Sequence, residues 1–349
     1  MKYVYALFFG LLSGQQAVGQ SVGSTAPLFA DDALLSLTVT TQLQVIAADR
    51  QKPGFGEKAQ KRPALLSVAN GGPARLPVTV SVRGNYRRDA GNCIFPPLWL
   101  DLPKKKVSGT VFAGQNRLKV VTHCKDDDYL VREYLVYKAF NQLTDLSYGA
   151  RLARITYLDT NNRKLGGTHW GILLENLTDV ASRNHVRPST KRTKAQYTDS
   201  LTMAVVGVFE YMIGNTDWSV SYQHNVSIVA DSVKARLLVV PYDFDYAGIV
   251  GTDYAVPDKH LGIESVRDRL YRGPSYSAGL LRRVFARFND RKKAIYALYE
   301  GNALLKKNYV QSTIQYLDQF YKLINNPKYS LRVFGPGSTD NRVIRGLND

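Results

Sequence analysis

The segment from residue 200 to residue 214, SLTMAVVGVFEYMIG, most restricts the folds open to this chain. A helix of this composition is too apolar for a protein surface and needs other elements packed around it. A period-two pattern that predicts a strand precedes it in VTVSVRGNY, and further strands are predicted at LLSLTVTTQLQVIAA (34 to 48), PLWLDL (97 to 102), TVFA (110 to 113) and RLKVVTHC (117 to 124). Two further helices are predicted after the apolar helix, LLRRVFARFNDRKKAIYALYE and VQSTIQYLDQFYKLI. The chain is therefore predicted to be α+β, with a sheet-rich N-lobe and a helix-rich C-lobe.

The N-terminus has the layout of a secretory signal. The first twenty residues, MKYVYALFFGLLSGQQAVGQ, have a basic start, a short apolar core and small residues before a cleavage point after Gly19. No other run is apolar enough to span a bilayer, so we expect an exported protein, periplasmic or secreted, without a membrane span. The predicted parts are a signal peptide at 1–19, an N-lobe at 20–177, a linker at 178–197 and a C-lobe at 198–349.

Because an oxidising compartment permits disulfides, export favours a disulfide between the cysteines. Cys93 and Cys124 are the only cysteines of the chain, so a single pairing is available. The alternative is a metal site formed by Cys93, His123 and Cys124. Three ligands without a CxxC pair are a weaker signal for metal binding.

The formal charge of +17 raises the question of an anionic partner. No recognition helix, RNA-binding aromatic signature or zinc-finger spacing accompanies the basic clusters, so we expect no specific nucleic-acid binding. A basic groove for a phosphorylated or acidic ligand fits the composition better. Nothing in the sequence indicates an oligomeric state.

Two carboxylates follow the apolar strand ARLLVV, in the segment PYDFDYAG from residue 241 to residue 248. Carboxylates held beside aromatic rings are costly unless a positive group lies against them, and a metal ion would supply that charge. Asp243 is the expected ligand. Asp245 is an alternative or a second ligand, because residues two apart on a strand share a face.

The order of polar residues along the chain matches phosphoryl transfer in kinase-like folds. In such folds a strand lysine holds the nucleotide phosphates, a helix glutamate positions it and a loop aspartate handles the acceptor proton. An asparagine and a second aspartate hold magnesium, which prefers such hard oxygen ligands. The corresponding residues here are Lys119, Glu133, Asp217, Asn225 and Asp243. We therefore expect Mg²⁺ and ATP as cofactors and a protein or another hydroxyl compound as acceptor.

Several motifs together resemble the spore-coat CotH-type protein kinase family. They are the Arg83-Gly84-Asn85 turn, LKVVTHCKDDDYLVREYLVYKAF, TYLDTNNRKLGGTHWGILLEN, IGNTDW and PYDFDYAG, over roughly residues 80 to 250. The resemblance implies an atypical kinase fold, with Asp217 as catalytic aspartate and Asp243 as metal ligand. Where family members often read RIKL, this chain reads LWLDL, so the lysine role is assigned to Lys119. Arg83 and Asn85 either cradle phosphate or only tie down a glycine turn.

Each of these residues has a simpler structural interpretation. Lys119 could be a solvated strand lysine, and Glu133 could pair with a basic residue of its own helix. Asp217 could cap a turn. Trp218 is expected to pack in the core, and His224 is either a general base or a bystander.

Two function classes follow from these alternatives. The leading one is an exported, magnesium-dependent CotH-like kinase. The other is a catalytically inactive, pseudokinase-like module that binds an acidic or phosphorylated partner. A third, a basic adhesin or nucleic-acid binder, rests on net charge alone.

Overall fold

The computed structural model describes residues 26–51, 59–69, 75–162 and 166–336. The signal peptide expected at 1–19 lies outside these residues. Over the described ranges the chain is mixed α+β, as predicted. No described helix combines the length and the apolar character needed to cross a membrane.

The seven strands described in the N-terminal half form a closed barrel in the order β1-β2-β3-β4-β5-β7-β6. Their bounds are β1 Leu35–Thr41, β2 Arg62–Val68, β3 Leu76–Val82, β4 Leu98–Asp101, β5 Arg117–Val121, β6 Ala150–Asp159 and β7 Gly166–Leu174. β1 closes the barrel by pairing in parallel with β6, and the other neighbours are antiparallel. Side chains alternate along each strand, so every second residue fills the barrel interior.

The second half consists of helices and a small three-stranded sheet in the order β10-β9-β8. The strands are β8 Arg187–Ser189, β9 Val226–Asp231 and β10 Arg236–Pro241. The α-helices within the described ranges are α1 Pro27–Ala30, α2 Leu43–Ala48, α3 Asp128–Leu143, α4 Leu177–Arg183, α5 Ser200–Ile213, α6 Ala278–Ala297, α7 Lys307–Ile324 and α8 Pro327–Phe334.

Helix α5 is the centre of the larger hydrophobic core, which confirms that its all-round apolar sequence needed complete enclosure. Asp199 caps its first turn by accepting a hydrogen bond from the Thr202 amide at 2.9 Å. Gly214 ends it in the left-handed conformation, φ 69°, and a Cβ there would lie 2.2 Å from the Tyr316 hydroxyl. Glycine is therefore required where the chain leaves α5 for the loop that carries Asp217.

Two local predictions differ from the structure. The strand-like run from residue 34 to residue 48 contains β1 and then α2, because Leu43 and Ile46 are buried at helical rather than alternating spacing. The segment TVFA at 110–113 forms turns, with the Thr110 hydroxyl bonding to the Val107 carbonyl at 2.8 Å. The proposed linker at 178–197 contains most of α4 and all of β8, and the domain boundaries themselves stay a prediction.

The predicted disulfide is present between Cys93 and Cys124, which rules out the alternative metal site that used both thiols. The bond joins the loop after β3 to the loop before α3 and packs against Tyr254.

Replacing both cysteines by serine should lower the free energy of unfolding by about 3 to 4 kcal/mol, the loop-closure value for a separation of 31 residues. Urea denaturation of the variant and the wild type measures this. An identical midpoint for oxidised wild type, reduced wild type and variant would contradict a stabilising bond.

Candidate active site

Every site residue predicted from the sequence, except Glu133, lines one cavity of about 350 Å³ between the barrel and the helical half. This volume lies within the usual range of small-molecule sites. Its lining includes the predicted residues Arg83, Asn85, Lys119, Asp217, Asn225, Asp243 and Asp245, together with Arg87, Tyr137, His224 and Tyr242.

The barrel wall of the cavity carries two cations. Trp99 and Lys119 lie directly opposite each other in the β4–β5 pair, and Trp99 also pairs with Ser81 of β3. Arg83 follows Ser81 by two residues, so strand alternation brings Arg83 to the same side as Lys119. The Arg83 guanidinium lies 5.2 Å and the Lys119 ammonium 5.9 Å from the centre of the Trp99 ring.

These two cations have no salt-bridged carboxylate within 4.0 Å among the described residues. Burial, together with the neighbouring Arg83, lowers the pKa of Lys119 to about 8, although Asp243 opposes both effects. Burial likewise lowers the pKa of Arg83. Two adjacent, partly desolvated cations favour an anion such as a phosphate group between them.

The opposite wall is acidic. Asp243 has φ 64°, a left-handed conformation that is rare for a residue with a side chain. Its amide donates a hydrogen bond to the Tyr137 hydroxyl at 2.8 Å. Asp245 is 5% exposed and accepts a hydrogen bond from the Tyr254 hydroxyl at 3.0 Å. Tyr254 rests on the Cys93–Cys124 disulfide, so that bond supports the acidic wall from behind.

The charge at this wall is concentrated. Burial, together with the neighbouring Asp243, raises the pKa of Asp245 to about 7, although Arg87 and the Tyr254 hydroxyl oppose the shift. Two close carboxylates of which one is buried form a donor set that a hard divalent cation would stabilise.

The loop after α5 holds Asp217 and Asn225 together. The Asn225 side-chain amide donates hydrogen bonds to the Asp217 carbonyl at 2.8 Å and to its Oδ2 at 2.9 Å. His224 Nε2 contacts the other carboxylate oxygen of Asp217 at 2.9 Å. Because these bonds use the amide nitrogen of Asn225, its amide oxygen is the atom that would act as a cation ligand. The residues present thus fit both magnesium and the phosphates of a nucleotide.

The segment between Asp217 and Asn225 forms a closed turn. Ser219 and His224 exchange backbone hydrogen bonds, both at 2.9 Å, so the intervening residues project as a small loop. Gln223 and Asn225 have positive φ angles of 49° and 52°. The Tyr242 amide donates to the Asn225 carbonyl at 2.9 Å, which ties this loop to the end of β10.

Glu133 lies outside the cavity and pairs with Arg87. Its carboxylate is 3.5 Å from the Arg87 guanidinium, and both side chains are almost fully buried. Burial raises the pKa of Glu133, Arg87 opposes this, and Asp245 and Asp243 add to it. The predicted role of Glu133 in positioning a nucleotide-binding lysine stays untested. The ion pair in this structure connects Glu133 to the turn after β3.

Three supporting residues were not predicted. Asn215 accepts a hydrogen bond from the Asp217 amide at 3.0 Å and donates one to the buried Glu210 carboxylate at 2.9 Å. Burial raises the pKa of Glu210 to about 8. Asn215 belongs to the GNTDW run already noted, whereas nothing in the sequence separates Glu210 or Arg87 from other charged residues. Trp218 is 4% exposed, as expected for core packing.

A second group of side chains that could ligate a metal consists of His123, Asp127 and His169, of which the two histidines line another cavity. The ligand atoms of His123, Asp127 and His169 lie within 4.8 Å of one another. The two imidazole rings stack with their centres 3.6 Å apart and their planes 11° from parallel. Lone pairs in the planes of parallel rings do not converge on one point, so this arrangement suits stacking better than shared coordination.

No protein-family model matches the sequence, and no curated protein matches it. One solved structure to which this chain is similar is the crystal structure of a Helicobacter pylori proinflammatory kinase, CtkA. The identity is 12%, the TM-score is 0.40, and the similarity covers 67% of this chain and 90% of that one.

Replacing Asp245 by asparagine should stabilise the protein above neutral pH. The folded-state pKa near 7 lies above the usual value of 3.8, so the contribution of Asp245 to stability falls as pH rises between these values. The Tyr254 hydroxyl can still donate to the asparagine oxygen. We expect a gain of about 1 to 3 kcal/mol in the free energy of unfolding at pH 8 without divalent cations.

Urea denaturation between pH 4 and pH 8 tests this, with the exposed Asp290→Asn as a matched control. The gain should grow up to about pH 7 and then level off. A variant that is less stable than the wild type at pH 8 would show that the ionised Asp245 carboxylate does not destabilise the folded protein.

Proposed function

We propose that this chain is an exported CotH-like kinase that transfers a phosphate group from a nucleoside triphosphate to a protein or another hydroxyl acceptor and depends on Mg²⁺. The observation that carries the proposal is the division of one cavity into a cationic wall with Arg83 and Lys119 and an acidic wall with Asp243 and Asp245. The two-lobed arrangement, with lobes at 20–177 and 198–349 and a linker at 178–197, and the signal peptide at 1–19 form part of the proposal.

Each wall is assigned one task. Lys119 and Arg83 bind the phosphate chain, and Asn85 joins them from the glycine turn. Asp243, with Asn225 and Asp245, would hold the magnesium ion, which when bound neutralises charge on the transferred phosphate. Glu133 supports this wall indirectly, because its ion pair holds Arg87, which lines the same cavity.

Asp217 is assigned to the acceptor. Its carboxylate is 38% exposed at the cavity and faces His224 with one oxygen and Asn225 with the other. In this position it would orient the acceptor hydroxyl and accept its proton. The Asn215 and Glu210 contacts hold the Asp217 backbone in place.

The second candidate is the catalytically inactive, pseudokinase-like module that binds an acidic or phosphorylated partner. The observation that favours it is the Glu133–Arg87 pair, which leaves Lys119 without the glutamate partner expected in a working kinase. This module would bind an anion at Arg83 and Lys119 without transferring phosphate.

Asp243→Ala should weaken binding of Mg²⁺-ATP by about tenfold or more, a loss of about 1.4 kcal/mol, because it removes a proposed metal ligand. Isothermal titration of the mature protein with ATP, with and without Mg²⁺, measures the loss. Asp290→Ala, an exposed carboxylate on α6, is the control and should bind as the wild type does. Binding that ignores both Mg²⁺ and the Asp243 substitution would refute the metal assignment.

Asp217→Asn should keep Mg²⁺-ATP binding and lose at least about 10²-fold in phosphate transfer, the usual contribution of a general base. Transfer of labelled γ-phosphate to the protein itself or to a mixed protein acceptor is the readout. Equal transfer by the variant and the wild type would reject the role of Asp217. Nucleotide binding without transfer by the wild type would favour the inactive module.

A further inference from the structure

A second and larger cavity, of about 910 Å³, lies next to the proposed active site. We call it the basic groove. Its charged and aromatic lining residues, with the amide that borders the active site, are Lys191, Arg192, Lys194, Tyr197, Tyr222 and Gln223. One side is the extended segment after β8, and the other is the small loop between Asp217 and Asn225.

The groove is positively charged without compensation. Lys191, Arg192 and Lys194 are exposed and lie within four consecutive positions of one segment. Among the described residues none of the three has a carboxylate within 4.0 Å, and no acidic residue lines the groove. Like charges held this closely produce a positive potential that attracts an anionic ligand.

Two large aromatic side chains are also left in solvent there. Tyr197 is 72% exposed and Tyr222 is 57% exposed. Exposed tyrosines are typical of protein-binding surfaces, because the ring offers apolar contact area and the hydroxyl a hydrogen bond.

The groove is physically joined to the proposed active site. Gln223 lines both cavities. Its side-chain amide donates to the Lys191 carbonyl at 3.2 Å, and the next residue, His224, contacts Asp217 at 2.9 Å. A peptide bound in the groove would therefore pass Gln223 on its way to the Asp217 carboxylate.

We propose that the basic groove binds an acidic polypeptide segment and directs a hydroxyl side chain of that segment to Asp217. The inference rests on the proposed function, since it names the class of acceptor. Three cations and two tyrosines match a short peptide with a few carboxylates. A nucleic-acid site with about six to ten phosphate contacts would have roughly two or three times as many contacts as this groove has cations.

The test is the affinity of the full mature protein for a fluorescent synthetic peptide with one serine among glutamates, measured by anisotropy at about 0.15 M salt. The triple substitution Lys191→Ala, Arg192→Ala and Lys194→Ala should weaken binding about tenfold or more. The matched control is Lys104→Ala, Lys105→Ala and Lys106→Ala, which removes three exposed charges from a turn outside both cavities. It should bind the peptide within about twofold of the wild type.

Two further measurements separate the possible outcomes. The single charge reversal Arg192→Glu, with an unchanged melting temperature, should also weaken peptide binding, so a folding defect of the triple variant cannot explain the loss. A single-stranded oligonucleotide that binds more tightly than the peptide, with the same dependence on these residues, would overturn the polypeptide assignment. Equal peptide binding by the triple variant and the wild type would show that the basic groove is not the peptide-binding site.

Failure of this inference and failure of the proposed function give different results. Wild-type protein that binds Mg²⁺-ATP but not the acidic peptide overturns only the acceptor class. Protein that binds the peptide through the groove but no nucleotide keeps the acidic-segment site and overturns the kinase.

Discussion

The buried ion pair between Arg87 and Glu133 is the interaction on which the proposed site depends. It connects the turn after β3 to helix α3, and Arg87 also donates to the Thr122 carbonyl at 2.6 Å. Both side chains are almost fully removed from water, so loss of either partner would leave an unpaired buried charge, a change that typically costs about 3 to 5 kcal/mol. The pair thus fixes the turn after β3 against α3, and Arg87 lines the same cavity as Asp243 and Asp245.

The single positive charge of Arg87 does not balance the negative charges of Glu133 and Asp245. Arg87 faces Glu133 and lies close enough to Asp245 to lower its pKa, yet the pKa of each of these two carboxyls stays raised, mainly by burial. The cationic wall with Arg83 and Lys119 is on the other side of the same cavity. A metal ion bound together with an anion would relieve both imbalances, and a magnesium-bound nucleotide has that charge distribution.

Much of the order of elements, and most of the residues that line the candidate cavity, were predictable because their signals are local. Alternation in VTVSVRGNY predicted β3, the short runs PLWLDL and RLKVVTHC predicted β4 and β5, and the apolar sequence of α5 predicted a buried helix. The disulfide was predictable because only one pairing exists. In contrast, the barrel closure depends on β1 pairing with β6, strands more than a hundred residues apart in sequence, and no local pattern reports such a pairing.

The partner of Glu133 could not be read from the sequence for a similar reason. Arg87 lies in an irregular turn, and only the folded barrel brings that turn under α3. A crystal structure of the mature protein with a non-hydrolysable ATP analogue and Mn²⁺, located by anomalous scattering, tests the proposed nucleotide site most directly. We expect manganese beside Asp243 and Asn225, with the phosphates on Lys119 and Arg83. Manganese at His123, Asp127 and His169, with no nucleotide between the two walls, would contradict the proposed site.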